Sequence, residues 1–292
     1  MTFIAVPNLS EGRDDLLIAR FAEAAAEATV LDLHRDTDHN RTVLTMAGEE
    51  SELVAGLTAL ASAALAIDLT AHDGIHPWVG ALDVCPIVPL GEVSEATLRD
   101  AARVADGVGR RIGLEVGLPV YLYGSAAKRE ETRSLPLLRS GGLAALRERA
   151  ARGLVPDYGP LKIDVRSGVV CVGARGPLIA FNVMLDTDVE IARRIAARVR
   201  SRSGGPHGIR ALGLWLDSKN LAQVSMNLVE PERTGIDQAF DAVANEAEVR
   251  GVTIVGTELI GLPPARFMPD PKCEAARLLI EPGRSLEEAM NA

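Results

Sequence analysis

Short apolar runs alternate with helical repeats of apolar residues along residues 1–90 of the chain. Thr2–Val6 is short, apolar and β-branched, which predicts a buried strand. Ser51–Ile67 is rich in alanine and leucine and holds no proline, which predicts a helix. The predicted order is strand, helix, strand, strand, helix, strand, over Thr2–Val6, Asp14–Ala28, Val30–Leu33, Thr42–Ala47, Ser51–Ile67 and Ala81–Pro89. This β-α-β-β-α-β order is the ferredoxin-like unit.

The same order of elements returns in the second half of the chain, without visible residue identity to the first, so the repeat is one of pattern. Its predicted elements are strand Leu178–Leu185, a helix to Arg202 capped by Asp186 or Asp188, strands Ala211–Leu216 and Leu221–Leu228, helix Ile236–Arg250 and strand Thr253–Leu259. Between the repeats we expect helix Ser94–Val116, strands Val120–Tyr123 and Val169–Val172, and short helices at Leu135–Gly142 and Leu143–Arg152. The predicted fold class is α+β with two ferredoxin-like (βαββαβ) subdomains, 1–177 and 178–292.

Composition narrows the class of protein. The 292 residues are 47% hydrophobic and only 3% aromatic, which favours helices packed on sheets over a small aromatic-rich β fold. The 31 basic residues are outnumbered by 40 acidic ones, for a net charge of −9. Such a chain is a poor candidate for general nucleic-acid binding, so no nucleic-acid partner is expected.

The cysteines and the N-terminus indicate the compartment. Cys85, Cys171 and Cys273 are odd in number and far apart, which fits neither a disulfide framework nor a zinc spacing. The N-terminal residues lack the pattern of a signal peptide, and no apolar run approaches the length of a membrane span. We therefore expect a cytoplasmic protein with reduced thiols and no membrane contact.

The densest group of reactive side chains lies in the run Ala71–Pro89, AHDGIHPWVGALDVCPIVP. It carries His72 and His76, two of the five histidines. Gly74 and Pro77 predict a loop rather than a helix. Because histidines four positions apart share a face only on a helix, this spacing argues against zinc, and no metal is expected. His76 is the candidate working residue of an active site.

Three other polar parts of the sequence can each be interpreted in two ways. The run His34–Arg41 separates two predicted strands, and is either a solvated hairpin loop or part of a site. Ser10 and its neighbours form either a ligand-facing loop or an ordinary helix cap. Asn182 either points into a groove between the subdomains or is a buried polar residue satisfied by the backbone.

Seven motifs follow one another along nearly the whole chain and together carry a resemblance to a known family. They are VPNLSEGR (Val6–Arg13), DHNRTV (Asp38–Val43), HDGIHPWVGALDVCPIVP (His72–Pro89), PVYLYG (Pro119–Gly124), DYGP (Asp157–Pro160), GARGPLIAFNV (Gly173–Val183) and LDSKNLAQVSMNL (Leu216–Leu228). In this order they resemble the glutamate formimidoyltransferase (formiminotransferase) family, which includes the transferase part of formimidoyltransferase-cyclodeaminase.

The resemblance implies a transferase of histidine and one-carbon metabolism that moves a formimino group from N-formimino-L-glutamate to tetrahydrofolate, its co-substrate. It also implies a homodimer whose other partners are these small molecules. The family's catalytic histidine corresponds to His76, and its folate-contacting loop to Gly159–Gly168. Substrate and folate contacts are expected from Asp38, His39, Asn40, Arg41, His72, Trp78, Gly159, Pro160, Lys162, Arg166, Gly168 and Asn182.

Around His76 the sequence departs from the family pattern. Trp78 stands in place of an arginine, Asp73 in place of a commonly basic residue, and Ile75 in place of an acidic one. Trp78 either stacks on a pterin-like ring or fills the space of the missing arginine. These departures leave two alternatives open: a divergent homologue acting on another amidine or formyl donor, and a non-catalytic protein that binds a folate-like ligand.

The chemistry implied by the resemblance suits an imidazole. The N5 amine of the folate must lose a proton when it attacks the amidine carbon, and the leaving glutamate nitrogen must gain one. An imidazole titrates near neutral pH and can do both, for a rate gain of about 10²- to 10⁴-fold. Asp36 or Asp38 could orient an imidazole or stabilise the cationic amidine. The candidates for binding carboxylates are Arg41, Lys162, Arg166 and Lys219.

Overall fold

The computed structural model describes residues 1–292, which divide into two compact units, Met1–Gly176 and Pro177–Ala292. The first unit contains β1 (Phe3–Ala5), β2 (Asn8–Leu9), α1 (Asp15–Ala24), β3 (Thr29–Asp36), β4 (Arg41–Gly48), α2 (Glu50–Ala64), β5 (Leu82–Pro89), α3 (Glu95–Arg111), β6 (Val120–Gly124), α4 (Glu130–Arg133), α5 (Leu135–Leu138), α6 (Gly142–Ala151) and β7 (Val170–Ala174). No helix in the chain combines the length and apolar character needed to cross a bilayer.

The first sheet has the strand order of a ferredoxin-like unit with two strands added. Strand β1 lies between β4 and β5 and is antiparallel to both, and β3 pairs with the outer side of β4. Strand β2 continues β1 between the same two neighbours. Beyond β5 the sheet grows by β7 and then β6, both in parallel pairing. The N-terminal ends of β4 and β5 therefore lie at the same end of the sheet.

Helix α2 shows how the apolar pattern becomes a packed layer. Leu53, Leu57 and Leu60 recur at helical spacing and are fully buried in the core of the first unit. Burying each such side chain stabilises the fold by about 2 kcal/mol relative to leaving it in water. Helix α1 begins at its cap, Asp14, whose carboxylate accepts from the backbone N–H groups of Leu16 and Leu17, each at 3.0 Å.

Two predicted elements of the first unit differ in the structure. Strand β3 continues through Asp36 and β4 begins at Arg41, so half of the predicted His34–Arg41 hairpin loop is strand, and the turn is residues 37–40. Cross-strand backbone pairing outweighs the polar composition of this run. The predicted helix Ser94–Val116 ends its regular part at Arg111 and finishes as a π-helical turn, Ile112–Val116.

The second unit is a four-stranded antiparallel sheet with its own core. It contains β8 (Ile179–Asp186), α7 (Val189–Val199), β9 (Ile209–Leu216), β10 (Leu221–Leu228), α8 (Ile236–Glu248), β11 (Thr253–Ile260), α9 (Glu274–Arg277) and α10 (Leu286–Met290). The strand order β11-β8-β10-β9 is again ferredoxin-like. The predicted fold class, α+β with two such subdomains, is therefore confirmed.

The limits of helix α7 settle one open alternative and correct one prediction. Asp188, not Asp186, caps the helix, because its carboxylate accepts from the N–H of Ile191 at 2.9 Å. The helix ends at Val199 rather than Arg202. Residues 201–203 form a separate 3₁₀ turn that ends at Gly204, whose φ of 89° is in the left-handed region.

Candidate active site

Two loops meet where β4 and β5 begin: the β3–β4 turn, residues 37–40, and the segment 72–81 before β5. The N–H of Ile75 donates to the carbonyl oxygen of Asp38 at 3.3 Å. A Cβ at Gly74 would lie 2.3 Å from the carbonyl oxygen of His39 and 2.7 Å from Nε2 of His72. Only a glycine at position 74 allows the two loops this contact.

A small cavity opens between these loops, with about 180 Å³ of space outside the protein atoms. It combines three histidines, an arginine and a carboxylate with an indole ring and a hydroxyl group. Its lining residues are Leu9, Ser10, His39, Asn40, Arg41, His72, His76, Trp78 and Asp83. The structure thus brings together five of the sequence-predicted site residues with the predicted catalytic histidine.

The hydrogen bond between Arg41 and His76 fixes which ring nitrogen carries the proton. A guanidinium nitrogen of Arg41 lies 2.9 Å from Nε2 of His76. Because a guanidinium can only donate, Nε2 must be the acceptor, and the ring proton of the neutral imidazole is on Nδ1. A lone pair suited to accepting a proton is therefore at Nε2, on the side of Arg41.

His76 is held in its neutral form. Burial lowers its pKa well below the ordinary value of 6.5, and the positive charges of Arg41 and Arg139 lower the pKa further. A hydrogen bond to the backbone of Pro77 acts weakly in the opposite direction. Near neutral pH the side chain is therefore an uncharged base.

His72 is fixed by Asn40 and packs against Trp78. The amide oxygen of Asn40 accepts from the N–H of Gly12 at 2.9 Å, so its amide nitrogen is the group that lies 3.2 Å from Nδ1 of His72. His72 therefore carries its proton on Nε2. The rings of His72 and Trp78 meet edge to face with 5.3 Å between centroids. Burial lowers the pKa of His72 as well.

Of the two aspartates proposed to orient an imidazole, Asp36 lies close to one. Its carboxylate accepts from the backbone N–H of His39 at 2.8 Å and lies 3.7 Å from Nδ1 of the His39 ring. The His39 ring is 2% exposed and its centroid is 6.0 Å from that of His76. Asp38 contributes its backbone carbonyl to the contact between the loops.

Two functional candidates, Asp83 and Arg139, were missed by sequence reasoning. One oxygen of Asp83 accepts from the N–H of Val79 at 2.7 Å, and the other accepts from Arg139. Arg139 also donates to the carbonyl oxygen of Pro77. Burial raises the pKa of Asp83, which Arg139 opposes. A charged residue inside the apolar run Ala81–Pro89 was a signal for a buried partner, but nothing local pointed to Arg139.

Asp73, one of the departures near the histidines, has a partner of its own. It forms an ion pair with Arg13, whose Nε also donates to the carbonyl oxygen of Thr37 at 2.9 Å. Arg13 precedes helix α1, so this residue connects the start of that helix to both loops of the site. The negative charge of Asp73 is thus paired with the positive charge of Arg13.

The predicted folate-contacting loop is anchored at both ends by glycine. Gly159 has a φ of 80°, and a Cβ there would lie 2.2 Å from the carbonyl oxygen of Leu118. Gly168 has a φ of 68°, and its Cβ would lie 2.2 Å from the carbonyl oxygen of Val79. The loop therefore ends against the residue that follows Trp78.

The basic residues of this loop are exposed, as is Pro160. Arg166 lies 3.0 Å from the carboxylate of Asp68, and its carbonyl oxygen accepts from the N–H of Leu69 at 2.9 Å. Neither Lys162 nor Arg166 lines the cavity. The roles of Gly159, Pro160, Lys162, Arg166 and Gly168 in folate binding stay predictions.

Asn182 belongs to the second unit. It is 2% exposed, and its amide nitrogen donates to a carboxylate oxygen of Glu258 at 3.0 Å. Lys219 lies 3.7 Å from the other oxygen of that carboxylate. A side chain therefore satisfies Asn182, rather than the backbone, and its role in ligand binding stays a prediction.

Two ferredoxin-like units, with a cavity lined by three histidines and an arginine in the first unit, define the fold and the candidate site. Comparison with family models gives a match to the formiminotransferase domain, N-terminal subdomain, over residues 2–175, and to the formiminotransferase domain over residues 180–282. The chain belongs to the formiminotransferase family, and the resemblance found in the motifs is confirmed.

Curated relatives include glutamate formimidoyltransferases of similar length and a longer formimidoyltransferase-cyclodeaminase. The chain is 38% identical to a glutamate formimidoyltransferase of Streptococcus pyogenes, over 91% of this chain and 90% of that protein. It is also 38% identical to a glutamate formimidoyltransferase of Thermoplasma acidophilum, over 91% of this chain and 89% of that protein. A formimidoyltransferase-cyclodeaminase of Sus scrofa is 38% identical, but the match covers only 53% of that protein.

Proposed function

We propose that this chain transfers the formimino group of N-formimino-L-glutamate to tetrahydrofolate, with His76 as the general base and then the general acid. The observation that carries the proposal is the neutral His76 ring, whose Nε2 accepts a hydrogen bond beside the cavity. The relatives named glutamate formimidoyltransferase support the choice of reaction.

The proton balance of this reaction needs only one shuttling group. The N5 nitrogen of the folate forms a bond to the amidine carbon, and Nε2 of His76 takes the N5 proton. The tetrahedral intermediate then breaks its bond to the glutamate nitrogen, and the imidazolium returns the proton to that nitrogen. Arg41 and Arg139 disfavour the imidazolium in the free protein, so binding of an anionic substrate beside them favours the proton transfer.

The charges around the cavity fit an anionic donor despite Trp78 and Asp73. Arg41 can bind a carboxylate through two parallel hydrogen bonds. Asp73 pairs with Arg13, which keeps its negative charge from acting alone near His76. The positive charge of Arg41 and the pairing of Asp73 with Arg13 favour formiminoglutamate over a neutral or cationic amidine. A transfer assay distinguishes formiminoglutamate from another formyl donor.

The remaining assignments belong to the same proposal. Reduced folate is the co-substrate, contacted by the loop Gly159–Gly168, and residues 1–177 and 178–292 are the N- and C-terminal formiminotransferase subdomains. The enzyme is a cytoplasmic homodimer. Light scattering combined with size-exclusion chromatography tests the dimeric state directly.

The test is a transfer assay on the purified chain and on two variants. The wild-type chain is expected to form 5-formiminotetrahydrofolate and free glutamate in equal amounts. His76→Ala and His76→Gln are expected to lose about 10²- to 10⁴-fold in kcat while keeping the far-ultraviolet circular dichroism spectrum. Undiminished turnover in both variants contradicts the role of His76, and absence of transfer by the wild type with binding of another amidine supports a different donor.

A further inference from the structure

The side chain of Arg13 joins the two loops that enclose the cavity. Its Nε donates to the carbonyl oxygen of Thr37, in the β3–β4 turn, at 2.9 Å, and Nη1 donates to the carboxylate of Asp73 at 2.5 Å. Asp73 directly follows His72, which lines the cavity. The side chain of Arg13 is 46% exposed, so a molecule that enters from solvent can reach its guanidinium.

The backbone before Arg13 lies directly against the segment that carries Arg41. A Cβ at Gly12 would be 2.6 Å from the backbone nitrogen of Arg41 and 2.3 Å from the carbonyl oxygen of Asp36, so the two segments are in contact there. The N–H of Gly12 also donates to the side chain of Asn40 at 2.9 Å. Two arginines therefore come from adjoining segments: Arg41 lines the cavity, and Arg13 stands beside it with a more exposed guanidinium.

The proposed donor carries two carboxylates. One is bonded to the same carbon as the formimino nitrogen, and the other lies beyond two methylene groups. With the formimino carbon beside His76, we expect the first carboxylate to bind Arg41, because its guanidinium lies 2.9 Å from Nε2 of His76. Arg139 is held by Asp83, and its side chain is only 16% exposed. The second carboxylate therefore needs a more accessible cation, and Arg13 on the adjoining segment provides one.

We propose that Arg13 binds the side-chain carboxylate of the donor, and that Asp73 occupies the same guanidinium until the donor displaces it. The inference rests on the proposed donor, N-formimino-L-glutamate. Asp73 is 69% exposed, so its ion pair is weak and its carboxylate is readily hydrated when it leaves Arg13. The exchange replaces one carboxylate by another on the same guanidinium. Asp73 thus makes the site selective, because only a ligand with a second carboxylate can take its place.

Arg35 and Asp15 provide a matched control. They form an ion pair whose side chains are 48% and 74% exposed, close to the 46% and 69% of Arg13 and Asp73. Asp15 is the first residue of helix α1, and Arg35 lies in strand β3. Asp15→Asn therefore frees an exposed arginine and changes the net charge by the same amount as Asp73→Asn. It measures the general effect of one added positive charge on the binding of an anion.

The experiment compares two donors, N-formimino-L-glutamate and N-formimino-L-glutamine, in which a neutral carboxamide of the same shape replaces the side-chain carboxylate. Calorimetry gives Kd for each donor, and the ratio of the two values is the preference for the carboxylate. Asp73→Asn should raise this preference about 2- to 5-fold above wild type, because Arg13 no longer has a competing partner. Arg13→Gln should lower the preference below wild type, because Asp73 then repels the carboxylate without a cation between them.

The double variant Arg13→Gln/Asp73→Asn should lose the preference gained in Asp73→Asn, and Asp15→Asn should keep the wild-type preference. A loosened contact between the loops weakens both donors alike and leaves the ratio unchanged, so the ratio separates carboxylate binding from loop structure. A wild-type preference in Asp73→Asn overturns the inference, as does an equal gain in Asp15→Asn or in the double variant. The expected binding pattern without transfer of the formimino group supports the role of Arg13 and contradicts the proposed reaction.

Discussion

The guanidinium of Arg41 donates a hydrogen bond to Nε2 of His76 across 2.9 Å. The nitrogen proposed to accept the substrate's proton is therefore occupied in the free protein. A carboxylate is a stronger acceptor for a guanidinium than a neutral imidazole is, because the bond is then charged at both ends. An anionic donor that binds Arg41 would free Nε2 and cancel the positive charge that lowers the pKa of His76.

Replacing Arg41 should separate these two effects. Arg41→Gln is expected to raise KM for formiminoglutamate about 10- to 100-fold, which corresponds to the loss of about 1.5–3 kcal/mol from a charged hydrogen bond. The same change should raise the pKa of His76 toward 6.5, because one of the charges that lower the pKa is gone. Steady-state kinetics and a titration of the His76 ring by ¹⁵N spectroscopy check the two effects. An Arg41→Lys variant that behaves like Arg41→Gln in the titration contradicts the role of the charge.

The free energy of unfolding should fall on the acid side of pH 6.5. The pKa values of His72 and His76 are lowered in the folded protein from 6.5, so the unfolded chain takes up protons first as the pH decreases. Stability then falls between pH 6.5 and the folded-state pKa values. Urea unfolding at about pH 7.5 and about pH 5.5 measures the slope. His76→Gln should reduce that slope, and an unchanged slope would show that His76 is not the group that titrates.

Gly74 should be needed for the contact between the two loops. Gly74→Ala places a Cβ against the carbonyl oxygen of His39, so the loops must separate. We expect a loss of about 1–3 kcal/mol in the free energy of unfolding together with a loss of most of the transfer activity.

Gly107 in helix α3 is the matched control for Gly74. A Cβ at Gly107 meets only a methyl group of Val54, at 3.7 Å. Gly107→Ala should therefore stabilise the protein by about 0.5–1 kcal/mol, because alanine is the better residue inside a helix. Chemical denaturation of both variants distinguishes steric contact from the general effect of a methyl group. Equal activity of Gly74→Ala and wild type would show that the loop contact is dispensable.

Gly159 should matter through contact as well as through backbone conformation. Gly159 and Gly117 have similar left-handed φ values, 80° and 75°, but only Gly159 has a backbone atom within reach of a Cβ. Gly117→Ala should cost about 1–2 kcal/mol for the left-handed conformation alone. Gly159→Ala should cost about 1–3 kcal/mol more. It should also raise KM for tetrahydrofolate if the loop binds folate, whereas Gly117→Ala should leave that KM unchanged.

Local patterns predicted the elements well and their limits less well. The apolar run of β5 and the spacing of leucines in α2 are encoded in consecutive residues, so both elements were found. The run His34–Arg41 looked like a loop because all eight of its residues are charged or polar, whereas pairing with β4 extends β3 through Asp36. A strand at the border of a sheet tolerates polar residues because one of its faces meets water.

The candidate site, like the fold, has features that local sequence predicted and features that it did not. The motif that contains His76 identified the loop and its candidate chemistry, because a histidine between glycine and proline is visible in sequence. The pairing of Arg139 with Asp83 joins residues 56 positions apart, and that of Arg13 with Asp73 joins residues 60 positions apart. No local signal encodes such a pairing, since it depends on how loops are brought together after the sheet has formed.

The sequence by itself determined the two βαββαβ units and the loop that carries His76, since strand and helix periodicities and turn residues act over a few positions. Only the tertiary structure decided that Arg41 faces Nε2 of His76, that His76 is buried, and that Asp73 pairs with Arg13. The Arg41 contact sets the tautomer of His76, and burial together with nearby positive charges lowers the pKa of the histidine. Both properties depend on burial and on charges brought together from distant parts of the chain.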